Sequence, residues 1–272
     1  MRNLITKYSE ERRGIILACG PPGSGTTLTR YGILKGIDAF IFSIFSIADN
    51  SDHDVSIITE FELRDDEELT TGIERLLRLD ADVLFTDEMN TQEVAETYFE
   101  YQNKLCIVSE ITAPDAAAGI VKLIKLVGDP QKVADSLRVI FCQKLLRVLC
   151  DKCKDAFRPN PKLIRKVGLP PETRVLYRPL RPPAPDDDDP DDDYYVPCTK
   201  CNGTGFFGRT AIFEAIEMTD LMKDLVASNP KASEIRKQAR DEKMMSYQKE
   251  ALRLVAEGKT SLDELQRIFT AK

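Results

Sequence analysis

Two cysteine pairs, one glycine-rich octapeptide and one acidic strand end hold the side chains of this sequence that could do chemistry. Gly20-Pro21-Pro22-Gly23-Ser24-Gly25-Thr26-Thr27 fits the phosphate-loop pattern G-x-x-x-x-G-K-[ST] at every defined position except the lysine, which is Thr26. Glycines suit such a loop because backbone N–H groups must close around phosphate oxygens where a Cβ would obstruct, and a following helix adds its positive N-terminal end. Gly20, Gly23, Ser24, Gly25, Thr26 and Thr27 are therefore the candidate nucleotide-binding residues, with the Thr27 hydroxyl placed to reach Mg²⁺. Without the lysine, binding loses a charge-assisted contact worth about 1.5–3 kcal/mol. Catalysis should suffer more, on the order of 10²–10³ in rate, because that charge also neutralises the phosphoryl-transfer transition state. Arg30 and Lys35, further along the same helix, are the basic side chains that could supply it instead.

Val83-Leu84-Phe85-Thr86-Asp87-Glu88 reads as an apolar strand ending in two carboxylates. In phosphoryl-transfer sites one such carboxylate holds the Mg²⁺ shell and the next polarises the attacking water, which makes Asp87 and Glu88 the catalytic candidates. Cys150-x2-Cys153 and Cys198-x2-Cys201 can offer four thiolates from two tight turns, a tetrahedral S₄ zinc site. A closed shell of four sulfurs leaves no open position, so the zinc should be structural. Cys19, Cys106 and Cys142 sit in apolar runs and read as small buried hydrophobes. His53, the single histidine, is flanked by aspartates and reads as a surface residue.

The elements that must position these groups follow from hydrophobic periodicity. Short apolar runs at Gly14–Cys19, Ala39–Ile44, Asp82–Phe85 and Leu105–Ser109 alternate with helical segments at Thr70–Leu79, Gln92–Tyr101 and Ala116–Leu126, the pattern of βαβ units and a mainly parallel sheet. Gly128-Asp129-Pro130 breaks the pattern, and a second helical stretch is expected from Lys132 to about Leu149. Pro170–Pro197, crowded with Pro and Asp, reads as a solvated loop inside the metal module. After it the chain turns helical, with Asn229-Pro230 as a stop, Gly258 as a C-cap and Ser261-Leu262-Asp263-Glu264 as a capping box. The expected domains are 1–149, a P-loop NTPase core; 150–203, the Cys₄ module; and 204–272, a C-terminal helical domain.

At 272 residues the chain can bury one sizeable α/β core plus small appended modules. No apolar run approaches the roughly 20 residues of a spanning helix, and residues 1–10 hold no signal-peptide core, so a cytoplasmic location is expected. A formal net charge of −7 argues against bulk attraction to nucleic acid, although basic residues dominate from Lys144 to Lys166 and acidic runs follow at Asp186–Asp189 and Asp191–Asp193.

Taken together, these residues resemble the ATPases of type II secretion and type IV pilus assembly. The similarity runs from Gly14 through the phosphate loop, Leu105–Ala117 and Gln143-x-Leu-Leu-Arg147-x-Leu-Cys150-x-x-Cys153. It continues through Cys198-Thr-Lys-Cys201-Asn-Gly-Thr-Gly-Phe-Phe-Gly-Arg209-Thr-Ala-Ile-Phe-Glu214 and the tail Ile235–Phe269. The resemblance implies a RecA-like P-loop NTPase core with a Cys₄ zinc knuckle and a small C-terminal helical domain. It also implies ATP, Mg²⁺ and Zn²⁺ as cofactors, and hexamers formed with itself or with ATPase paralogues. Platform proteins of the inner membrane would be its partners, which allows a peripheral place at that membrane. Against the family pattern, Ala48 of Ile47-Ala48-Asp49-Asn50 stands where the acidic box has a glutamate, and Leu105 and Thr112 replace the two histidines of the histidine box. Asn90 replaces an arginine, and the family's N-terminal domain finds no counterpart here. These departures, added to Thr26, point to a weakly or non-hydrolysing regulatory subunit. An active ATPase with a rearranged phosphate contact and a zinc-stabilised nucleic-acid-binding protein are the alternatives.

Overall fold

The computed structural model describes residues 2–48, 56–180 and 196–270. Asp49, Asn50, His53 and the acidic runs at 186–189 and 191–193 lie outside them. The chain divides into two compact units, Met1–Lys144 with Phe213–Ser246 and Leu145–Ile212 with Tyr247–Lys272.

The first unit opens with helix α1 (Arg2–Ser9), then strand β1 (Gly14–Gly20), helix α2 (Thr26–Leu34) and the short strands β2 (Ile44–Ser46) and β3 (Thr59–Glu60). Next come α3 (Leu69–Leu77), β4 (Val83–Glu88), α4 (Gln92–Tyr101), β5 (Cys106–Thr112), α5 (Ala116–Val127), α6 (Pro130–Ser136) and β6 (Leu137–Leu149). The sheet order is β3-β2-β4-β5-β1-β6, followed by β9 (Phe206–Glu217), and the pairings of β1 with β5 and β6, and of β4 with β2 and β5, are parallel. Ile15, Ile16, Leu17, Ala18 and Cys19 are fully buried, as a parallel strand covered on both faces requires. Cys19, Cys106 and Cys142 are buried too. Helices α8 (Asp220–Ala227) and α9 (Ala232–Asp241) belong to this unit, and α8 stops before Asn229 at φ 56°.

Three expectations are corrected here, and a fourth in the second unit. The stretch from Lys132 to Leu149 is not one helix: α6 ends at Ser136, and Leu137–Leu149 is a strand beside β1. A continuous buried apolar run carries no periodicity that separates a buried strand from a buried helix face, and Val139, Ile140 and Phe141 favour the strand. Phe206–Glu217 is likewise a strand, so the chain is not purely helical beyond residue 204. The strand expected at Ala39–Ile44 begins only at Ile44, because Asp38 closes a turn with its side chain on the Phe40 N–H and its carbonyl on the Ile41 and Phe42 N–H groups.

In the second unit, β7 (Asp155–Phe157) and β8 (Leu176–Arg178) pair antiparallel around helix α7 (Pro161–Val167), so part of the expected loop from Pro170 is a strand. Helices α10 (Tyr247–Ala256) and α11 (Leu262–Thr270) complete it, with Gly258 at φ 68° between them. Ser261 accepts from the Glu264 N–H at 3.2 Å, half of the expected capping box. The Glu264 carboxylate turns elsewhere: it is buried and accepts from the Arg147 N–H and from the guanidiniums of Arg147 and Arg267. Burial opposes its charge, but those donors hold its carboxyl at about 2.

Candidate functional site

The glycine-rich octapeptide joins β1 to α2, as the pattern demands. Gly25 is the helix N-cap at φ 85°, and no side chain caps the first turn of α2, whereas α4, α5, α6, α7 and α8 are each capped by their own N-cap side chain. Its first N–H groups therefore point out of the helix end without a side-chain acceptor there. A Cβ on Gly20 would lie 2.9 Å from the Gln143 backbone carbonyl and would also press on Ser24 Oγ and Thr26 Oγ1, so glycine suits that turn. Gln143 of β6 pins the loop from behind: its Nε2 donates to the Ser24 carbonyl at 2.6 Å and the Gly25 carbonyl at 3.1 Å, and its Oε1 accepts from Thr29 Oγ1 at 2.5 Å. Thr26 Oγ1 rests 3.0 Å from Ser24 Oγ, a neutral contact within the loop itself. Thr27 is exposed.

Neither basic residue of α2 replaces the lysine. Lys35 is the exposed C-cap of α2, about 13 Å along the helix axis from Thr26 by helical rise. Arg30 is buried and faces the acidic strand end: Nη1 donates to the Thr86 carbonyl at 2.5 Å and to Asp87 Oδ1 at 2.9 Å. The guanidinium also lies over the Phe85 ring, 4.6 Å from its centroid.

Asp87 and Glu88 stand together at the end of β4, one strand away from β1, with β5 between. Glu110 of β5 pairs in register with both Glu88 and Ala18. Glu88 Oε1 accepts from the Thr112 N–H at 2.8 Å, and Lys122 Nζ lies 3.5 Å away while donating to the Thr112 carbonyl at 3.1 Å. Partial burial works to raise the Glu88 pKa, but these donors outweigh it and leave the carboxyl below its ordinary range. Burial raises the Glu110 carboxyl despite the nearby Arg30. Leu105 is buried, Asn90 is exposed, and partly buried Ala48 packs on the core.

Sequence reasoning missed the roles of Gln143, Lys122 and Glu110 and the direction of Arg30. A detectable signal existed for two of them: Glu110 is a lone acid in the strand Cys106–Thr112, and Arg30 is a lone charge among Leu28, Tyr31, Ile33 and Leu34.

Cys150, Cys153, Cys198 and Cys201 converge in the second unit, with all four sulfurs within 4.8 Å of one another. The Sγ separations are 3.9 Å for Cys150 and Cys198 and 3.5 Å for Cys153 and Cys201. The Cys150 carbonyl accepts from the Cys153 and Lys154 N–H groups, and Asn202, Gly203 and Gly205 hold positive φ after the second pair. Backbone N–H groups of Cys201 and Lys200 draw the Cys198 thiol down to about 7. Lys200 also meets Asp151 at 2.6 Å, bridging the two turns. Four soft donors so disposed could hold one metal ion.

Residues 1–267 match the family described as type II/IV secretion system protein. The chain belongs to that family. Within it, the sequence is 28% identical over 273 residues to the type II secretion system protein E of Aeromonas hydrophila, covering 98% of this chain and 51% of that protein. It is 27% identical over 259 residues to the type IV pilus assembly ATPase PilB of Thermus thermophilus, covering 93% of this chain and 27% of that one. The chain thus spans about half or less of the length of these relatives. In fold, it is similar to the pilus retraction motor PilT solved with bound ADP, with TM-score 0.62, 16% identity, and coverage of 97% of this chain and 64% of that one. The Yersinia pseudotuberculosis ATPase DotB gives TM-score 0.61 at 16% identity, covering 96% and 60%. Among the described residues no helix is long and apolar enough to cross a membrane.

Proposed function

We propose that this secretion-family chain is a degenerate motor homologue that binds nucleotide weakly, hydrolyses it slowly or not at all, and acts as a regulatory or hetero-oligomeric subunit of a type II secretion or type IV pilus machine. The observation that carries this reading is Thr26, whose hydroxyl stays against Ser24 where a lysine would reach the phosphates. The glycine frame at Gly20, Gly23 and Gly25 and the uncapped start of α2 support retained phosphate binding through backbone N–H groups. The engagement of Glu88 by Thr112 and Lys122 supports slow hydrolysis, since a carboxylate held by two donors is a poor base for water. In the same reading Cys150, Cys153, Cys198 and Cys201 hold one structural zinc, as sulfurs at about 2.3 Å from zinc lie about 3.8 Å apart in a tetrahedron. The partners are ATPase paralogues, in a hexamer, and platform proteins at the cytoplasmic face of the inner membrane.

Single-turnover hydrolysis is the test. Turnover far below about 1 s⁻¹ is expected, and a rate at or above that ordinary enzyme range overturns the reading. Light scattering with a full-length paralogue tests the subunit role; absence of any association removes it.

A further inference from the structure

At the ends of β4 and β5, where a nucleotide site of this kind would hold its metal, every described carboxylate already faces a cation of the same chain. Asp87 meets Arg30 at 2.9 Å, Glu110 faces Arg30 Nε at 3.8 Å, and Glu88 meets Lys122 at 3.5 Å. Arg30 is the central member, with a side chain only 3% exposed. Its Nε and Glu110 Oε2 are both buried without a hydrogen-bond partner, facing each other as an ion pair too long for a hydrogen bond. Two charges placed in this way, one side chain 3% and the other 19% exposed, compensate one another.

Mg²⁺ does not fit this arrangement. It requires near-octahedral oxygen ligands at about 2.1 Å, so an ion on the second Asp87 oxygen would lie within roughly 6 Å of the guanidinium. The Arg30 side chain is 3% exposed and that of Asp87 58%, so the two cations would repel across a gap that water screens only on its Asp87 side. The alternative carboxylate, Glu88, takes the Thr112 N–H on Oε1 and has the Lys122 ammonium 3.5 Å from the same oxygen, so a metal there would meet a second cation.

We propose that Arg30 is the resident cation of the nucleotide site, standing at the acidic ends of β4 and β5 where Mg²⁺ would sit, so that this chain takes its nucleotide as the metal-free polyphosphate. The inference rests on the nucleotide-binding reading above. It assigns Arg30 and Glu110 a positioning role that neither the phosphate-loop pattern nor the acidic strand end assigns. With neither lysine nor metal, the phosphates are left to the loop N–H groups and the start of α2, in keeping with weak binding.

The experiment is an ATP titration of the full chain in EDTA and in excess Mg²⁺, repeated for Arg30→Leu and for Arg30→Leu combined with Glu110→Gln, with folding followed by circular dichroism. The double variant removes the buried pair together and so remains informative if the single one fails to fold. For the unmodified chain the two affinities are expected to agree within about threefold, and in the folded variants Mg²⁺ should tighten binding by tenfold or more as the guanidinium beside Asp87 is removed. A larger Mg²⁺ effect on the unmodified chain overturns the inference while leaving the nucleotide-binding reading intact, and so do folded variants as indifferent to Mg²⁺ as the parent. No binding of ATP in either buffer overturns the nucleotide-binding reading itself, and the inference with it.

Discussion

The cysteine cluster and the glycine-rich loop are both built on tight turns, the first turning backbone N–H groups on the Cys198 sulfur and the second leaving the start of α2 without a side-chain cap, yet they keep their family pattern to different degrees. All four sulfurs of the cluster are present and converge within 4.8 Å. The loop keeps its glycines and its uncapped helix start but has a threonine in place of its one cation. The difference follows from where each site stores its function. A four-thiolate centre is carried wholly by side chains, and losing any one breaks it. A phosphate loop is carried mostly by backbone, so its frame outlasts the side chains that make it catalytic.

The comparison breaks most readily at the cysteines. Cys201→Ser is expected to drop the metal content from one zinc per chain towards none and to unfold the second unit, since metal binding of about 10–16 kcal/mol is folding free energy in such modules. Elemental analysis and thermal melting in reducing buffer check this, and a full zinc complement in the variant would contradict it.

Next in size is Glu264→Gln, which leaves Arg147 and Arg267 without their shared carboxylate. A loss of about 3 kcal/mol is expected, the low end for a broken buried pair because both guanidiniums are half exposed. Because the folded-state carboxyl is depressed to about 2, its stabilisation is complete above the unfolded value and fades as pH falls towards 2. The gap in melting temperature between parent and variant should therefore be constant above pH 5 and shrink below it. A gap that widens on acidification would show that the carboxylate is not the stabilising form.

The phosphate loop gives smaller effects. Thr26→Lys should raise ATP affinity tenfold to a hundredfold, about 1.5–3 kcal/mol, in a filter or fluorescence titration. Turnover should recover much less, since Ala48, Leu105, Thr112 and Asn90 would, on the expected family pattern, still lack its ionisable side chains and the transition state needs several groups at once. Gln143→Ala should cost about 1–3 kcal/mol of stability by freeing the Ser24 and Gly25 carbonyls, measured by denaturant unfolding. Smallest of all, Glu88→Gln should change residual hydrolysis by less than about threefold, because the carboxylate is already engaged; abolished turnover would show that Glu88 still polarises water.

Sequence patterns located what depends on spacing. Glycines that must be glycines, cysteines paired by two intervening residues, and the α4 and α5 faces are all set by local periodicity or by a single steric demand. The reading faltered where a segment is buried on every side, as in Val139–Gln143 within the strand Leu137–Leu149, because uniform burial erases the period that tells strand from helix. It faltered again at Phe206–Glu217, a strand whose sheet partner lies more than fifty residues earlier in the chain, a distance at which no local pattern can signal pairing. The site's electrostatics were hidden for a related reason. Arg30 and Asp87 are 57 positions apart, and only the fold shows that the helix after the phosphate loop aims its charge at the strand two places over in the sheet.

The Arg30 network bears on how this protein could change over time. Replacing Arg30 alone leaves the mostly buried Glu110 carboxylate without its cation, a penalty of about 3 kcal/mol, whereas replacing Glu110 alone leaves Arg30 still paired with Asp87. That is a large fraction of the stability of an ordinary domain. Restoring a lysine at position 26 is therefore one substitution, but reopening the acidic strand ends to a metal requires at least two made together. The pair works as an evolutionary ratchet: single-step reversion is filtered out by folding before it can be tested for activity.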